Sequence, residues 1–152
     1  MADASAGRQT TVVLEARFLP PIPAMIRVVR LGTPRDKNEG LRLGTVRRPP
    51  RGVKRADFAR RDFFDLWMPD LAPSAPLVSW ALSEPFTPAR WARYERSYRA
   101  EMKTPQAKRL IALLAAMSHD SNFSVGCYCE NESKCHRSIL RRLLIEAGAA
   151  IP

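Results

Sequence analysis

The chain has 152 residues and a formal net charge of +10, with 45% hydrophobic and 26% charged residues. This composition is typical of one globular domain and excludes collagen-like, low-complexity and largely disordered chains. The longest apolar run in the C-terminal half, residues 110–117, is far shorter than the roughly twenty residues of a membrane span. We therefore expect no membrane partner. Because Glu15 and Arg17 interrupt the only signal-peptide candidate, we predict a cytoplasmic location.

The chain is predicted to divide near residue 23. Residues 1–22 begin with small polar residues, contain a candidate edge strand at residues 11–14, and end in a proline-rich stretch that favours an extended linker. We therefore predict a peripheral or flexible N-terminal extension over residues 1–22 and one folded domain over residues 23–152.

Short apolar stretches predict four extended segments. Residues 25–31 form the first predicted strand, and the alternation of residues 41–46 predicts a second. The prolines of residues 47–52 exclude regular structure and predict a loop. Residues 63–68 are apolar and aromatic, which indicates a strand or a buried extended segment. Residues 122–130 are predicted to form a last strand that ends in a loop.

Capping patterns predict four helices. Ser74, Thr87 and Thr104 can each cap a helix, and proline follows directly after the last two. The fourth helix is predicted to begin at Cys135 and to end at Gly148, a typical C-cap residue. The second helix carries an aromatic stripe that is more typical of a core face than of a ligand site, namely Trp91, Tyr94, Tyr98 and Met102.

The basic residues are concentrated in one stretch. Residues 27–61 contain twelve basic residues against three acidic ones, a net charge of +9 that accounts for nearly all of the excess in the chain. Such a stretch is a candidate contact surface for the phosphates of a nucleotide, DNA or RNA. It is equally typical of a solvated basic surface, and the sequence leaves both interpretations open.

Three cysteines lie within nine residues, at Cys127, Cys129 and Cys135, and an odd number argues against a disulfide scaffold. The pattern places Cys127 and Cys129 on one face of a strand, and Cys135, His136 and Arg137 in the first turn of a helix. Because a helix N-terminus carries partial positive charge, we expect a lowered pKa for the Cys135 thiol and an affinity for anions.

Four interpretations of this segment stay open. Cys129, Cys135, His136 and Arg137 could face an anionic ligand, with Cys135, Cys129 and His136 as candidate catalytic residues and Arg137 as an anion donor. Cys127, Cys129, Cys135 and His136 could form a Cys3His zinc site, although the C-x-C spacing is not the usual C-x2-C. Cys129 and Cys135 could form a redox-sensitive disulfide. Finally, the cysteines could simply be small buried residues.

The run CYCENESKCHRSIL, residues 127–140, resembles the C-terminal motif of the domain-of-unknown-function 488 family, also called YeaO-like. Residues 47–52, 65–74 and 91–102 resemble further segments of that family in the same order, so that the resemblance spans about residues 25–147. It implies a single small α/β domain with a mostly parallel sheet flanked by helices, in a Rossmann-like three-layer arrangement. It also points to the following candidate site residues: Arg47, Arg51, Cys129, Cys135, His136 and Arg137.

These observations combine into one functional prediction. Ligands of α/β sheets bind beyond the carboxyl ends of the strands. If the second and the last predicted strands are parallel neighbours, Arg47 and Arg51 converge on the start of the Cys135 helix. We therefore predict a pocket for a phosphate-bearing ligand, a nucleotide or nucleic acid, with possible chemistry at Cys129 or Cys135. The rival is a non-catalytic DNA- or RNA-binding module. No cofactor is expected except the zinc of the alternative, and the family carries no established activity to transfer.

Overall fold

The computed structural model describes residues 23–152, so the predicted N-terminal extension and its edge strand lie outside the described residues. Within this range, one sheet of four parallel strands has the order β1-β4-β2-β3. The predicted fold class is confirmed: the chain forms a single small α/β domain, consistent with a three-layer arrangement. The strands are β1 (Ile26–Arg30), β2 (Leu41–Gly44), β3 (Leu66–Trp67) and β4 (Phe123–Cys127).

The central strand β4 determines where a ligand can approach. It pairs with β1 on one side and with β2 on the other, and Val125 lies opposite both Val28 and Leu43. All five residues of β4 are buried, as expected for a strand with neighbours on both sides. Because β2 and β4 are parallel neighbours, their carboxyl ends lie side by side at one edge of the sheet.

Three of the four helices begin as their capping patterns predict. The hydroxyls of Ser74, Thr87 and Thr104 each accept a backbone N–H bond from three residues further along the chain. No helix in residues 23–152 has the length and apolar composition needed to cross a membrane. The helices are α1 (Ala75–Ser83), α2 (Pro88–Glu101), α3 (Pro105–Met117) and α4 (His136–Glu146).

The last helix begins one residue later than predicted. A 3-10 turn, Glu132–Lys134, lies before it and is capped by the side chain of Asn131. Cys135 has an extended backbone, with φ −128° and ψ 147°, and its thiol makes no capping bond. At the other end, Gly148 takes a φ of +92°, a conformation that L side chains rarely adopt, so the predicted C-cap is present.

The apolar side chains form two clusters. The larger one receives residues from all four helices and includes Tyr94, Tyr98 and Met102, so most of the predicted aromatic stripe is core. The second cluster lies around the carboxyl ends of the strands, and two of the three cysteines belong to it. Its buried members are Leu31, Val46, Phe64, Cys127 and Cys135.

The third predicted strand is shorter than expected. Of residues 63–68, only Leu66 and Trp67 pair with β2. Asp62 has a φ of 60°, and the N–H of Phe63 bonds back to the carbonyl of Phe58, so the chain is still turning where the strand was predicted to begin. The aromatic character of this segment therefore reflects side-chain packing, since Phe64 is buried in the second cluster.

A buried ion pair that the sequence analysis did not identify joins three segments. Arg42 of β2 is fully buried and contacts Glu39 through two bonds, Nε–Oε1 at 2.6 Å and Nη2–Oε2 at 2.9 Å. Ser124 of β4 donates to Glu39 at 2.6 Å, and the Arg42 guanidinium also donates to the carbonyls of Thr33 and Asp62. Every charge in this network therefore has a partner.

Candidate functional site

A cavity of about 810 Å³ opens at the carboxyl ends of β2 and β4. It is lined by the loop after β2, by Phe63, by α1 and residues on either side of it, by Tyr94 of the second helix, and by the segment from the end of β4 to the start of α4. Its volume is in the range of small-molecule sites, and it lies where open parallel sheets bind their ligands. This cavity is the candidate functional site.

The charged side chains that line the cavity are all basic. Arg47, Arg48, Arg51 and Lys134 border it, and none of the described residues that line it is an aspartate or a glutamate. The acids of the adjacent loop are directed to other partners, since Glu132 pairs with Arg141 on α4. A concave surface with several cations and no carboxylate attracts anions.

The structure brings most of the predicted site residues together. Arg47, Arg51, Cys129, Cys135 and His136 all line the cavity, and Cys127 lines it as well. The parallel pairing of β2 with β4 produces this convergence, because the loop after β2 and the turn after β4 leave the sheet at the same edge. Arg137 is the one predicted site residue that does not line the cavity.

The three cysteine sulphurs form a compact cluster. They all lie within 4.8 Å of one another, and the Sγ atoms of Cys127 and Cys129 are 3.7 Å apart. All three thiols are free. Cys127 and Cys135 are buried, whereas Cys129 lies beyond the end of β4 and is exposed. The cluster therefore presents one accessible thiol to the cavity, with two buried thiols beside it.

The accessible thiol is the one whose anion the cluster stabilises. Hydrogen bonds from the thiols of Cys127 and Cys135 hold the pKa of Cys129 well below its ordinary value, and the charge of Arg137 acts in the same direction. The hydrogen bond to Cys129 raises the pKa of Cys127 to about 11. Only one proton is lost readily from such a cluster, and we assign that loss to Cys129.

The pKa shift expected for Cys135 is reversed. Its hydrogen bonds to Cys127 and Cys129, together with its burial, raise the pKa of the Cys135 thiol. Cys135 is only 2% exposed and belongs to the second apolar cluster. A favourable position at the start of a helix is therefore outweighed by an apolar, thiol-lined environment, and the proton stays on Cys135.

His136 is buried between the end of β2 and the start of α4. Its Nε2 donates to the carbonyl of Thr45 at 2.7 Å, because a carbonyl oxygen can only accept, so Nδ1 carries no proton in the neutral ring. This Nδ1 lies 3.7 Å from the sulphur of Cys135. Burial lowers the pKa of His136 to about 4, so the ring is neutral at neutral pH. It joins the end of β2 to the start of α4.

Arg137 holds the backbone that carries the accessible thiol. Its Nη2 donates to the carbonyl of Cys129 at 2.7 Å and to that of Glu130 at 3.4 Å. The side chain is buried, and its Nε has no hydrogen-bond partner in the described part of the chain. Arg137 therefore acts from behind the cavity: it positions Cys129 and supplies positive charge without touching a ligand in the cavity.

The cations at the cavity divide into bound and free ones. Arg47 donates to the carbonyls of Pro69, Ala72 and Pro73, and so it anchors the segment before α1. Within residues 23–152, by contrast, the side chains of Arg48, Arg51 and Lys134 have no hydrogen-bond or ion-pair partner. The sequence analysis missed Arg48 and Lys134, although each directly neighbours a residue that it identified.

The basic stretch over residues 27–61 is largely used by the fold itself. Six of its twelve basic side chains bind carboxylates or carbonyls of the described chain: Arg27, Arg30, Arg35, Arg42, Arg47 and Arg60. Of the other six, Arg48 and Arg51 lie in the loop after β2 and line the cavity. This stretch therefore does not form a surface of uniform positive charge.

The cysteine cluster could hold a metal ion, so zinc is possible. Two sulphurs of a tetrahedral zinc site lie about 3.8 Å apart for Zn–S bonds of about 2.3 Å, and the 3.7 Å between Cys127 and Cys129 is compatible with that spacing. His136 is not a member of the cluster. The donor set is thus three thiols rather than the Cys3His set considered from the sequence.

Comparison with known proteins gives one match. The family model described as the "Active DUF488-N3 subclade" matches residues 26–148. The match includes all four strands, the loop after β2 and the whole cysteine segment. No curated protein and no solved structure matches the chain.

Proposed function

The chain belongs to the DUF488 family, and from the geometry of the cavity we propose that it binds a phosphate-bearing ligand there, with Cys129 as the nucleophile. One observation carries this proposal. An exposed thiol, backed by two buried thiols within 4.8 Å, lines the same cavity as four basic side chains and no carboxylate. Reactive cysteines are found in electropositive, partly exposed surroundings of this kind.

The free cations define where the anionic group would bind. Arg48, Arg51 and Lys134 have no competing side-chain partner among residues 23–152, so a phosphate that binds to them displaces no ion pair with those residues. Arginine suits this role because its planar fork can donate two parallel hydrogen bonds to a phosphate. The α4 N-terminus adds partial positive charge at the same edge of the cavity.

The thiol cluster would supply the chemistry. The Cys127 thiol donates to the Cys129 sulphur at 3.7 Å, which keeps the sulphur anionic and directs its charge toward the open side of the cluster. A thiolate is the nucleophilic form of cysteine. In this proposal the thiolate attacks the phosphorus of a bound phosphate ester. The S–P bond forms as the P–O ester bond breaks, the ester oxygen leaves with the electron pair and takes a proton from water, and the cations stabilise the charge on the phosphoryl oxygens.

Ligand protection of Cys129 tests the proposal. We expect millimolar inorganic phosphate or adenosine monophosphate to slow alkylation of Cys129 by iodoacetamide roughly tenfold, because the ligand covers the thiol. The double variant Arg48→Ala/Arg51→Ala is expected to need roughly tenfold more ligand for the same protection. Arg109→Ala on α3, an exposed arginine that does not line the cavity, is the matched control and is expected to behave as the wild type.

Two outcomes would contradict the pocket. If neither ligand protects Cys129, or if the double variant is protected as well as the control, the cavity does not bind phosphate. If instead short duplex DNA or RNA binds with an affinity that falls steeply with salt and ignores Cys129→Ser, the rival basic-surface function is supported.

The mutual distances of the three sulphurs support a second candidate function, a thiolate metal site. If the chain binds zinc, we expect close to one zinc per chain by elemental analysis. Chelator should release it, lower the melting temperature and expose Cys129 to alkylation. Cys127→Ser should purify with little zinc, whereas His119→Ala should keep it, because His119 precedes β4 and is not part of the cluster at the other end of that strand. Metal-free wild-type protein that melts at the same temperature with and without added zinc would reject this candidate.

A further inference from the structure

We infer that the ligand of this cavity is a small phosphomonoester that carries an aromatic ring, which the wall between α1 and α2 receives. The inference rests on the proposed function, since it concerns the same cavity, and it names the class of the ligand. A phosphate alone would use only the cationic side of a cavity of about 810 Å³. The remainder of the cavity is therefore informative about what accompanies the phosphate.

One part of the cavity wall is apolar. Val78, Ala81 and Leu82 of α1 line it, and Phe86 continues it in the segment before α2. Leu82 is 81% exposed, which is unusual for a leucine on a helix that packs against a core. Covering such a side chain with an apolar group removes it from water, so this wall favours a ligand with an apolar part.

Two pairs of aromatic rings line the cavity with the cysteines. Phe86 and Tyr94 form a tilted pair with ring centroids 5.3 Å apart, and Phe63 and Tyr128 form an edge-to-face pair at 6.2 Å. All four rings line the cavity. Aromatic rings interact favourably with other rings in edge-to-face and offset-stacked arrangements. These side chains therefore favour a planar ring over an alkyl chain as the apolar part of the ligand.

Tyr94 provides a second and independent indication. The side chain is only 5% exposed and lines the cavity, yet its hydroxyl has no hydrogen-bond partner in the described part of the chain. Burial, with the nearby cysteines, raises the pKa of this phenol, so it stays protonated and is a donor. The hydroxyl is not one of the fully enclosed unpaired polar atoms, so it reaches the cavity and can donate there without breaking a hydrogen bond among the described residues. A polar atom on the ligand, such as the ester oxygen, would satisfy it.

The size of the cavity limits the ligand to a small molecule. A volume of about 810 Å³ suits a phosphomonoester or a mononucleotide and is too small to enclose a length of nucleic acid. The structure therefore favours a monomeric aryl or nucleoside phosphate over a polymer. The phosphate would lie on Arg48, Arg51 and Lys134, and the ring against Leu82 and Phe86.

Graded probes test the inference through protection of Cys129. We expect phenyl phosphate to protect Cys129 from alkylation at roughly tenfold lower concentration than inorganic phosphate, with cyclohexyl phosphate between the two. Leu82→Ser should remove several-fold of the advantage of phenyl phosphate and leave protection by inorganic phosphate unchanged. Leu113→Ser is the matched control, since Leu113 is 54% exposed on α3 and does not line the cavity.

Tyr94→Phe separates the hydroxyl from the ring. It retains the contacts with Phe86, and because the hydroxyl has no partner among the described residues, we expect an unchanged melting temperature. Protection by phenyl phosphate should nevertheless weaken severalfold. Equal protection by inorganic, cyclohexyl and phenyl phosphate would overturn the inference and leave the proposed function standing. Absence of protection by every phosphate compound would instead overturn the proposed function itself.

Discussion

Iodoacetamide is expected to alkylate Cys129 at a rate that hardly changes between about pH 5 and about pH 8, on metal-free protein. An ordinary thiol titrates near pH 8.5, so its alkylation rate falls about tenfold for each pH unit below that value. Between about pH 5 and about pH 8, the alkylation rate of an ordinary thiol therefore changes several hundredfold, whereas that of Cys129 stays nearly constant. The reason is the lowered pKa of Cys129, which keeps the sulphur anionic throughout the range.

The pH profile is the diagnostic quantity, not the absolute rate. A thiolate of low pKa is also a weaker nucleophile, which partly cancels the gain from its larger anionic fraction. Mass-spectrometric assignment of the labelled site is therefore measured at each pH. Cys127→Ala removes the thiol that donates at 3.7 Å and should restore part of the slope, whereas Cys129→Ser should abolish the pH-independent labelling. Labelling that appears first on Cys135, or a Cys129 profile with an apparent pKa near 8.5, would disprove the assignment.

Glu39→Gln is expected to lower the free energy of unfolding by about 3–5 kcal/mol. Arg42 is fully buried, and its guanidinium makes two of its four contacts with the Glu39 carboxylate. Removal of the negative charge would leave the Arg42 cation in the interior without its carboxylate partner. The resulting loss of stability exceeds the net stabilisation that the intact ion pair provides. Urea unfolding measures the change.

An exposed ion pair provides the control for this prediction. Glu146 pairs with Arg99 at 3.0 Å, and its side chain is 57% exposed. Glu146→Gln should therefore cost less than about 1 kcal/mol, because water screens the exposed pair. If Glu39→Gln were no more destabilising than Glu146→Gln, the network around Arg42 would not stabilise the fold.

The same network makes the stability of the fold depend on pH in the acidic range. Burial raises the pKa of Glu39, but hydrogen bonds from Arg42 and Ser124 outweigh it and leave the folded-state pKa below the ordinary value of 4.5. The stabilisation is therefore complete above about pH 4.5 and is lost as the pH falls through the lower, folded-state pKa. Melting temperatures between about pH 3 and about pH 7 should decline more steeply for the wild type than for Glu39→Gln. Parallel curves would contradict this linkage.

Local patterns in the sequence were sufficient for the helices and for the position of the site along the chain. The hydroxyl residues Ser74, Thr87 and Thr104 predicted the starts of α1, α2 and α3. Gly148 predicted where α4 ends. These signals act over a few residues, so the surrounding structure is not needed to interpret them. The apolar run of β4 likewise predicted a buried strand that leads into the cysteine segment.

Local patterns failed where the third predicted strand begins. The aromatic and apolar residues at positions 63–68 are equally typical of a strand and of an irregular segment whose side chains pack over a core. The left-handed backbone of Asp62 and the bond from Phe63 to Phe58 decide between the two, and neither is visible in a pattern of hydrophobicity. Arg42 was missed for a related reason, since a charged residue on a strand is ordinarily read as solvent-facing.

By itself, the sequence determined the candidate segments, namely the loop after β2 and the cysteine segment after β4, which would meet if their strands were parallel neighbours. Only the tertiary structure decided that β2 and β4 are such neighbours and how each side chain is placed. It left Cys129 exposed and buried Cys135, it placed Arg137 outside the cavity lining, and it gave Arg48 no side-chain partner among residues 23–152. The physical reason is that pKa values and ligand contacts depend on burial and on neighbours distant in sequence, such as Thr45 beside His136. Capping and strand patterns depend on adjacent residues alone.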